Sequence, residues 1–180
     1  MASFRTRSLW VLWLVTATLG ACATPAFVPS PDACRALVPA QRAWVGDRAD
    51  WSPYLAHVRA CNVRGPGGAS ALLVVSVWAD LLYAAAPGPA TTIALPLPLL
   101  LDRNGRELGT LPANFPSDPP AELELRFSQW RDGRPHRIGL CLRSPAAGGD
   151  QPLPALRFDP ASGRYSSTRS STLRGDCDGR

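Results

Sequence analysis

The chain has 180 residues, of which 46% are hydrophobic, and it carries 19 basic and 14 acidic side chains for a formal net charge of +5. A chain of this size can bury a real hydrophobic core, and the small positive charge gives no case for nucleic-acid binding. The length is that of about one domain.

The first 21 residues have the plan of a secretory signal peptide. Arg5 and Arg7 lie in the first eight residues, which contain no acid, and residues 9–21 form the uncharged run LWVLWLVTATLGA. A positively charged start followed by a short apolar run is typical of export signals. The run is too short to cross a bilayer as a helix, which needs about 20 residues. We therefore predict a signal peptide over residues 1–21, whose removal lowers the net charge to +3.

The end of the apolar run is Leu19-Gly20-Ala21-Cys22. This sequence resembles the lipobox of bacterial lipoproteins, where a dedicated signal peptidase cuts before a cysteine that carries diacylglycerol. The resemblance implies cleavage before Cys22, a lipid on its sulfur and a membrane partner reached through that lipid. Because Ala23 stands where inner-membrane lipoproteins often have aspartate, it also implies the periplasmic face of the outer membrane. The alternative is cleavage after Ala23 by ordinary signal peptidase, which would give a soluble periplasmic or secreted protein.

The segment after the cleavage site is rich in proline. Residues 22–33 follow the lipobox with the sequence CATPAFVPSPDA, which has three prolines and no apolar periodicity. Such a composition is typical of an extended, fairly stiff linker. We predict that residues 22–33 form the lipidated cysteine and its linker, and that residues 34–180 form a single periplasmic domain.

The cysteine count agrees with this division. The chain has five cysteines, and a lipid on Cys22 leaves an even number for disulfides in an oxidising compartment. Four cysteines allow three pairings, among which sequence alone does not decide. Proximity along the chain favours Cys34–Cys61 and Cys141–Cys177, each worth about 3–4 kcal/mol on the chain-entropy account. No CxxC spacing is present, so we predict neither a metal site nor a cofactor.

Residues 32–61 carry helical signals. Ser52 and Pro53 have the residue types of a helix N-cap and first helical position, and Val58 and Cys61 follow at helical spacing. An earlier helical face is suggested by Cys34, Leu37, Val38, Gln41 and Val45. We predict one or two short N-terminal helices here.

The rest of the chain has strand and turn signals. Residues 69–77 are apolar and β-branched, whereas Pro96 and Pro98 indicate that the run 91–101 is an edge strand or a bulged one. Three hairpins are indicated around Asn104-Gly105, around Asp132-Gly133 and around residues 159–163. The predicted fold class is α+β, mainly β: one or two short N-terminal helices followed by an antiparallel β-sandwich or barrel-like sheet.

One hairpin contains the residues of a possible binding surface. Trp130, Arg131, Arg134 and Arg137 lie close together around the turn at residues 132–133. Arginines on one face can contact an anionic glycan, a lipid headgroup or an acidic partner, and tryptophan rings are common in binding surfaces. The alternatives are a solvated face of mixed charge for the arginines and core packing for Trp130.

The sequence favours a non-enzymatic binding or envelope-assembly accessory module whose partner is an envelope protein or glycan. It contains no GxSxG, GxGxxG, phosphate-loop or HExxH motif. The alternative is an envelope hydrolase acting on glycan or peptide, with Glu122, Glu124 or His136 in its site. A third possibility is a structural tether whose sheet edge pairs with a strand of a partner.

Overall fold

The computed structural model describes residues 33–78, 94–116, 122–145, 148–167 and Cys177. It is mainly β, with two antiparallel sheets. The first sheet has the order β1-β2-β3-β4-β5 and the second the order β6-β7-β8-β9. The elements are β1 Cys34–Ala36, helix α1 Pro39–Gly46, a 3₁₀ helix Ser52–His57, β2 Val58–Arg64, β3 Ser70–Val77, β4 Leu99–Leu101, β5 Glu107–Thr110, β6 Glu122–Arg131, β7 Arg134–Ser144, β8 Gly149–Asp159 and β9 Arg164–Ser167.

The two sheets pack face to face around one hydrophobic core. Leu123, Leu125 and Phe127 of β6 are buried, while the residues between them are less so, which confirms the predicted alternation. These side chains share one cluster with Leu72 and Val74 of β3 in the other sheet. The predicted antiparallel sandwich is therefore confirmed, and its interior is filled by apolar side chains from both sheets.

The five-stranded sheet is also covered on its other face. Leu73 and Val75 of β3 point away from the sandwich interior and pack in a second cluster with Val45 of α1 and with Trp51, which is 1% exposed. Because both faces of this sheet are buried, β3 is apolar at nearly every position rather than at alternate ones. The molecule thus has three layers: helices, the five-stranded sheet and the four-stranded sheet.

The helical prediction for residues 32–61 was correct only in part. Pro39 begins α1 at a position where its missing N–H is not needed, and Pro53 lies in the 3₁₀ helix. However, Cys34–Ala36 is strand β1, and Val58–Arg64 is strand β2 rather than the end of a second helix. In a strand buried on both faces the pattern of alternation is lost, so the spacing of Val58 and Cys61 was compatible with either structure.

The prediction for residues 91–101 was half right. Strand β4 is short, and its pairing with β5 shifts register between Leu100 and Leu101, as expected for a bulged strand. It is not an edge strand, because it pairs with β3 on one side and β5 on the other. Pro96 and Pro98 precede the paired residues, so they remove no hydrogen bond from the strand. Residues 91–93 lie outside the described residues.

Both disulfides join the cysteines that proximity along the chain favoured. Cys34 and Cys61 face each other in the register of β1 and β2, and Cys141 of β7 is bonded to Cys177. Cys141 alternates with Ile138 and Leu140, which belong to the sandwich core, so its bridge lies on the outer face of the four-stranded sheet.

The predicted signal peptide and Cys22 lie outside the described residues. In the part of the chain that the structure describes, there is no helix with the length and apolar character of a membrane span.

Candidate functional site

A cleft of about 420 Å³ lies where three hairpin turns meet. One turn connects β2 to β3, another connects β4 to β5, and the third connects β6 to β7 within the other sheet. The cleft therefore spans both sheets at one end of the sandwich, on turns held by rigid strands. Its lining residues are Ala69, Ser70, Ala71, Asp102, Arg103, Asn104, Asp132, Gly133 and Arg134.

Local sequence explains the shapes of two of these turns. Asp132 and Gly133 have φ angles of 49° and 71°, the left-handed conformations that a two-residue type I′ hairpin requires. In the β4–β5 turn, the carboxylate of Asp102 accepts hydrogen bonds from the backbone N–H groups of Asn104 and Arg106. The backbone conformations of both turns are thus specified by short-range chemistry.

The β4–β5 turn is also held by the helical layer. A Cβ atom on Gly105 would lie 2.3 Å from Nε1 of the Trp44 indole, and the φ angle of Gly105 is 83°. Only glycine permits both this close approach and this backbone conformation. The packing of Trp44 against the turn fixes one wall of the cleft relative to α1.

Arg134 is the most unusual side chain of the cleft. Its guanidinium carbon lies 4.5 Å from the centroid of the Phe158 ring, which is within the range of a cation–π contact. Its Nε is buried and has no hydrogen-bond partner among the described residues. The positive charge of Arg134 is therefore held by an aromatic ring rather than neutralised by a carboxylate.

The Phe158 ring beneath Arg134 packs against two other aromatic rings. His136 and Tyr165 both pack edge-on against Phe158, with centroid distances of 5.4 Å and 5.2 Å. The buried hydroxyl of Tyr165 donates a hydrogen bond to the carbonyl oxygen of Pro135, and burial raises the pKa of this phenol. The aromatic ring under Arg134 is therefore fixed by neighbours on two strands.

The structure separates the residues of the predicted binding surface. Arg134 lines the cleft, and Arg131, which is exposed, pairs with it across the β6–β7 hairpin. Arg137 lies farther along β7, opposite Arg157 on the outer face of the sheet. Trp130 is half-buried and packs against the core. The predicted surface therefore does not form a single patch.

The position of Trp130 has a backbone cause. Gln129 has a φ angle of 56°, so the regular alternation of β6 is interrupted just before the tryptophan. Without this interruption, residue 130 would share the outer face with Glu124 and Arg126. Instead, the Trp130 ring lies against Gly65, where an added Cβ would be 3.1 Å from Cζ3 of the indole. For Trp130, core packing is the role that the structure shows.

The outer face of the four-stranded sheet carries a network of ion pairs. Glu124, whose side chain is 11% exposed, accepts hydrogen bonds from Nε of Arg126 at 2.8 Å and from Nε of Arg143 at 2.5 Å. Arg143 also pairs with Asp150, and its pKa is raised chiefly by the hydrogen bond to Glu124. The carboxylate of Glu124 is thus fully engaged in structural contacts.

The residues proposed as alternatives for a hydrolase site are divided between the two faces of the four-stranded sheet. Glu122 and Glu124 lie on the outer face of the four-stranded sheet, whereas His136 contacts Phe158 on the inner side. The cleft contains Ser70, but its hydroxyl lies 2.6 Å from the Asn62 amide oxygen. Within the described ranges, no group of three or more His, Cys, Asp or Glu side chains has the arrangement of a metal site.

The network around Glu124 leads to a matched pair of variants. Glu124→Gln removes the counter-ion of Arg126, whose side chain is nearly buried. The free energy of unfolding is therefore expected to fall by about 2–3 kcal/mol, which is less than the loss for a fully buried pair. Glu122→Gln, two residues earlier on the same face and exposed, is expected to change it by less than about 0.5 kcal/mol. Urea unfolding measures both. Equal effects of the two variants would contradict a structural role for the network.

A second ionic cluster connects the layers beside the cleft. Glu107 of β5 pairs with Arg48, which follows α1, at 2.9 Å, and with Arg164 of β9 at 2.5 Å. The hydrogen bond from Arg48, with a smaller contribution from Arg164, holds the pKa of Glu107 below its usual value. Gly109 permits the strands to approach here, since a Cβ on it would lie 3.1 Å from the Tyr165 carbonyl oxygen. The sandwich therefore closes along β5 and β9.

Sequence reasoning missed most of the cleft. The turns containing Asn104 and Asp132 were predicted, but Asp102, Arg103 and Asp132 were not assigned to a common site. Their signal in the sequence is weak, because charged residues are ordinary in turns. Only the meeting of hairpins from different sheets brings them together.

Comparison with protein-family models, with curated proteins and with solved structures finds no match for the chain.

Proposed function

We propose that the chain is an exported lipoprotein, lipidated on Cys22 and held at the periplasmic face of the outer membrane, whose sandwich domain is a non-enzymatic binding or envelope-assembly accessory module. The observation that carries the proposal is the use of the cysteines. Cys22 ends an apolar export-like segment, and the other four cysteines form two disulfides. This leaves one thiol, at the position that the lipobox resemblance assigns to the lipid.

The cleft at the hairpin end is the proposed binding site. Binding residues are often placed on loops that a rigid scaffold positions, and the cleft is formed by three turns from two sheets. Arg134 supplies a positive charge that is fixed on the Phe158 ring. A partner with an anionic group in the envelope, whether protein or glycan, would find a preorganised contact here.

The chemistry of the cleft supports binding rather than catalysis. Its lining includes Ser70 but neither histidine nor cysteine, so the serine has no imidazole base within the lining. Glu107 and Glu124, each of which pairs with two arginines, lie outside the lining. We therefore propose that the protein holds its partner without transforming it.

Site-specific photo-crosslinking in intact cells tests the proposal. A photoreactive amino acid in place of Arg103, which lines the cleft, is expected to form an adduct with an envelope component. The matched control replaces Arg157, an exposed arginine on the outer face of β8, and is expected to give no such adduct. Equal adducts at both positions, or none at Arg103, would contradict binding at the cleft.

A further inference from the structure

The cleft concentrates charged side chains that have no ion-pair partner within the described residues. Arg103, Asp132 and Arg134 all line it, and none of the three lies in an ion pair with another described side chain. Asp102, the fourth charged lining residue, is already occupied by Arg106 and by two backbone N–H groups. The cleft thus offers two cationic groups and one anionic group to a ligand.

We propose that this cleft recognises the head group of an α-amino acid, with Arg134 holding the carboxylate and Asp132 holding the neighbouring ammonium. The inference rests on the proposed binding function and names the chemistry that this site selects. Two sources present such a head group in the envelope: a free amino acid, and an amino acid with free amino and carboxyl groups at the end of a cell-wall peptide.

Arg134 is suited to the carboxylate. A guanidinium presents parallel N–H donors that match the two oxygens of a carboxylate. The contact with Phe158 restrains the position of this guanidinium before a ligand arrives, so less side-chain entropy is lost on binding. The side chain is also half-buried, and electrostatic attraction is stronger there than in bulk water.

Asp132 is placed to take the ammonium. It occupies the type I′ turn two residues before Arg134, so a single rigid hairpin carries one group of each sign into the cleft. An α-amino acid carries its ammonium and carboxylate groups on the same carbon, and a site that contains both signs close together discriminates against simple anions. Arg103 lies on the facing turn. Together, Arg103, Asp132 and Arg134 have a net charge of +1. A second carboxylate, as in aspartate, should therefore strengthen binding.

The lining disfavours a neutral sugar. None of the nine lining residues is aromatic, and Arg134 lies over one face of the Phe158 ring. Sugar sites commonly use an exposed flat ring as a platform. The volume of about 420 Å³ is ample for a single amino acid and is at the small end for larger ligands.

Isothermal titration of the full-length mature protein in detergent tests the inference with defined probes. L-Aspartate and L-alanine are expected to bind, with aspartate tighter. N-Acetylaspartate lacks the ammonium and is expected to bind at least about tenfold more weakly than aspartate. Alaninamide lacks the carboxylate and is expected to bind at least about tenfold more weakly than alanine. In each case the difference reflects the loss of one charged contact. An anion-only site would instead bind N-acetylaspartate as tightly as aspartate, and this result would overturn the proposal.

Three variants locate the site. Arg134→Gln and Asp132→Asn are each expected to weaken aspartate binding at least about tenfold. Arg157→Gln is the matched control, because Arg157 is exposed on the outer face of β8 and does not line the cleft, and it should leave the affinity within about twofold, the change expected of a distant surface charge. If Arg134→Gln fails to fold, the exposed turn variant Asp132→Asn carries the test, since asparagine also adopts positive φ.

Co-sedimentation with purified insoluble cell wall distinguishes the two sources. Sedimentation that free alanine or aspartate competes away indicates the cell-wall peptide, and titration without sedimentation indicates the free amino acid. If no free amino acid binds and the wall does not sediment the protein, the inference fails. In that case an adduct at Arg103 in cells would still support the proposed function. Conversely, amino-acid binding without any envelope adduct would contradict the proposed function but not the inference about amino acids.

Discussion

Cys22→Ala is expected to move the protein from the outer-membrane fraction to the soluble periplasmic fraction. Lipidation requires the cysteine sulfur, and no described helix can span a membrane. Each buried CH₂ of an acyl chain contributes about 0.8 kcal/mol, so one chain anchors marginally while several chains anchor stably. Loss of the thiol should therefore remove nearly all membrane attachment rather than weaken it. Cell fractionation followed by immunoblotting measures the distribution.

Ala23→Asp is the matched control for this variant. It keeps Cys22 and hence the lipid, but it introduces the residue that many inner-membrane lipoproteins have after the lipidated cysteine. The protein is expected to stay in the membrane and to shift from the outer to the inner membrane. If Cys22→Ala remained in the membrane fraction after a salt wash, attachment would not depend on the lipid and the proposal would fail.

Removal of the Cys141–Cys177 disulfide is expected to have the largest effect on stability. The bond closes a loop with a sequence separation of 36, and on the chain-entropy account such a loop contributes about 4 kcal/mol. A domain of this size has a total stability of about 5–15 kcal/mol. The double variant Cys141→Ser/Cys177→Ser should therefore lose a large fraction of its free energy of unfolding, as measured by urea denaturation.

Reductant provides the control for the disulfide variant. Wild-type protein with reductant loses both bonds, so it should be less stable than the double variant without reductant by the contribution of Cys34–Cys61, whose sequence separation is 27. A double variant with the urea midpoint of the wild type would show that the bond does not constrain the unfolded chain. Strong dependence on two disulfides fits a protein that works outside the reducing cytosol.

Local patterns predicted much of the four-stranded sheet. The alternation of Leu123, Leu125 and Phe127 predicted strand β6, and the Asp132-Gly133 pair predicted its turn. Because one face of this sheet points outward, apolar residues recur at every second position of the strand. The same reasoning failed at Val58 and Cys61. Their strand is buried on both faces, so its sequence has no alternation to distinguish it from a helix.

The candidate site was less predictable for a different reason. Arg134 was predicted to lie on a binding surface, but its contact with Phe158 depends on the pairing of β7 with β8. Asp102 and Arg103 reach the same cleft from the other sheet. For Trp130 the sequence left a binding surface and core packing open, and the structure shows core packing. These arrangements depend on how two sheets pack, which short-range patterns do not encode.

The intact mass of the mature protein, measured with and without reductant, tests the lipoprotein proposal most directly. The predicted result is a chain that begins at Cys22, carries the added mass of an acylated glycerol, and has its other four cysteines in two disulfides. Thiol alkylation should label none of them before reduction and all four afterwards. A chain that begins at residue 24 without acyl groups, or one with a free thiol before reduction, would contradict the proposal.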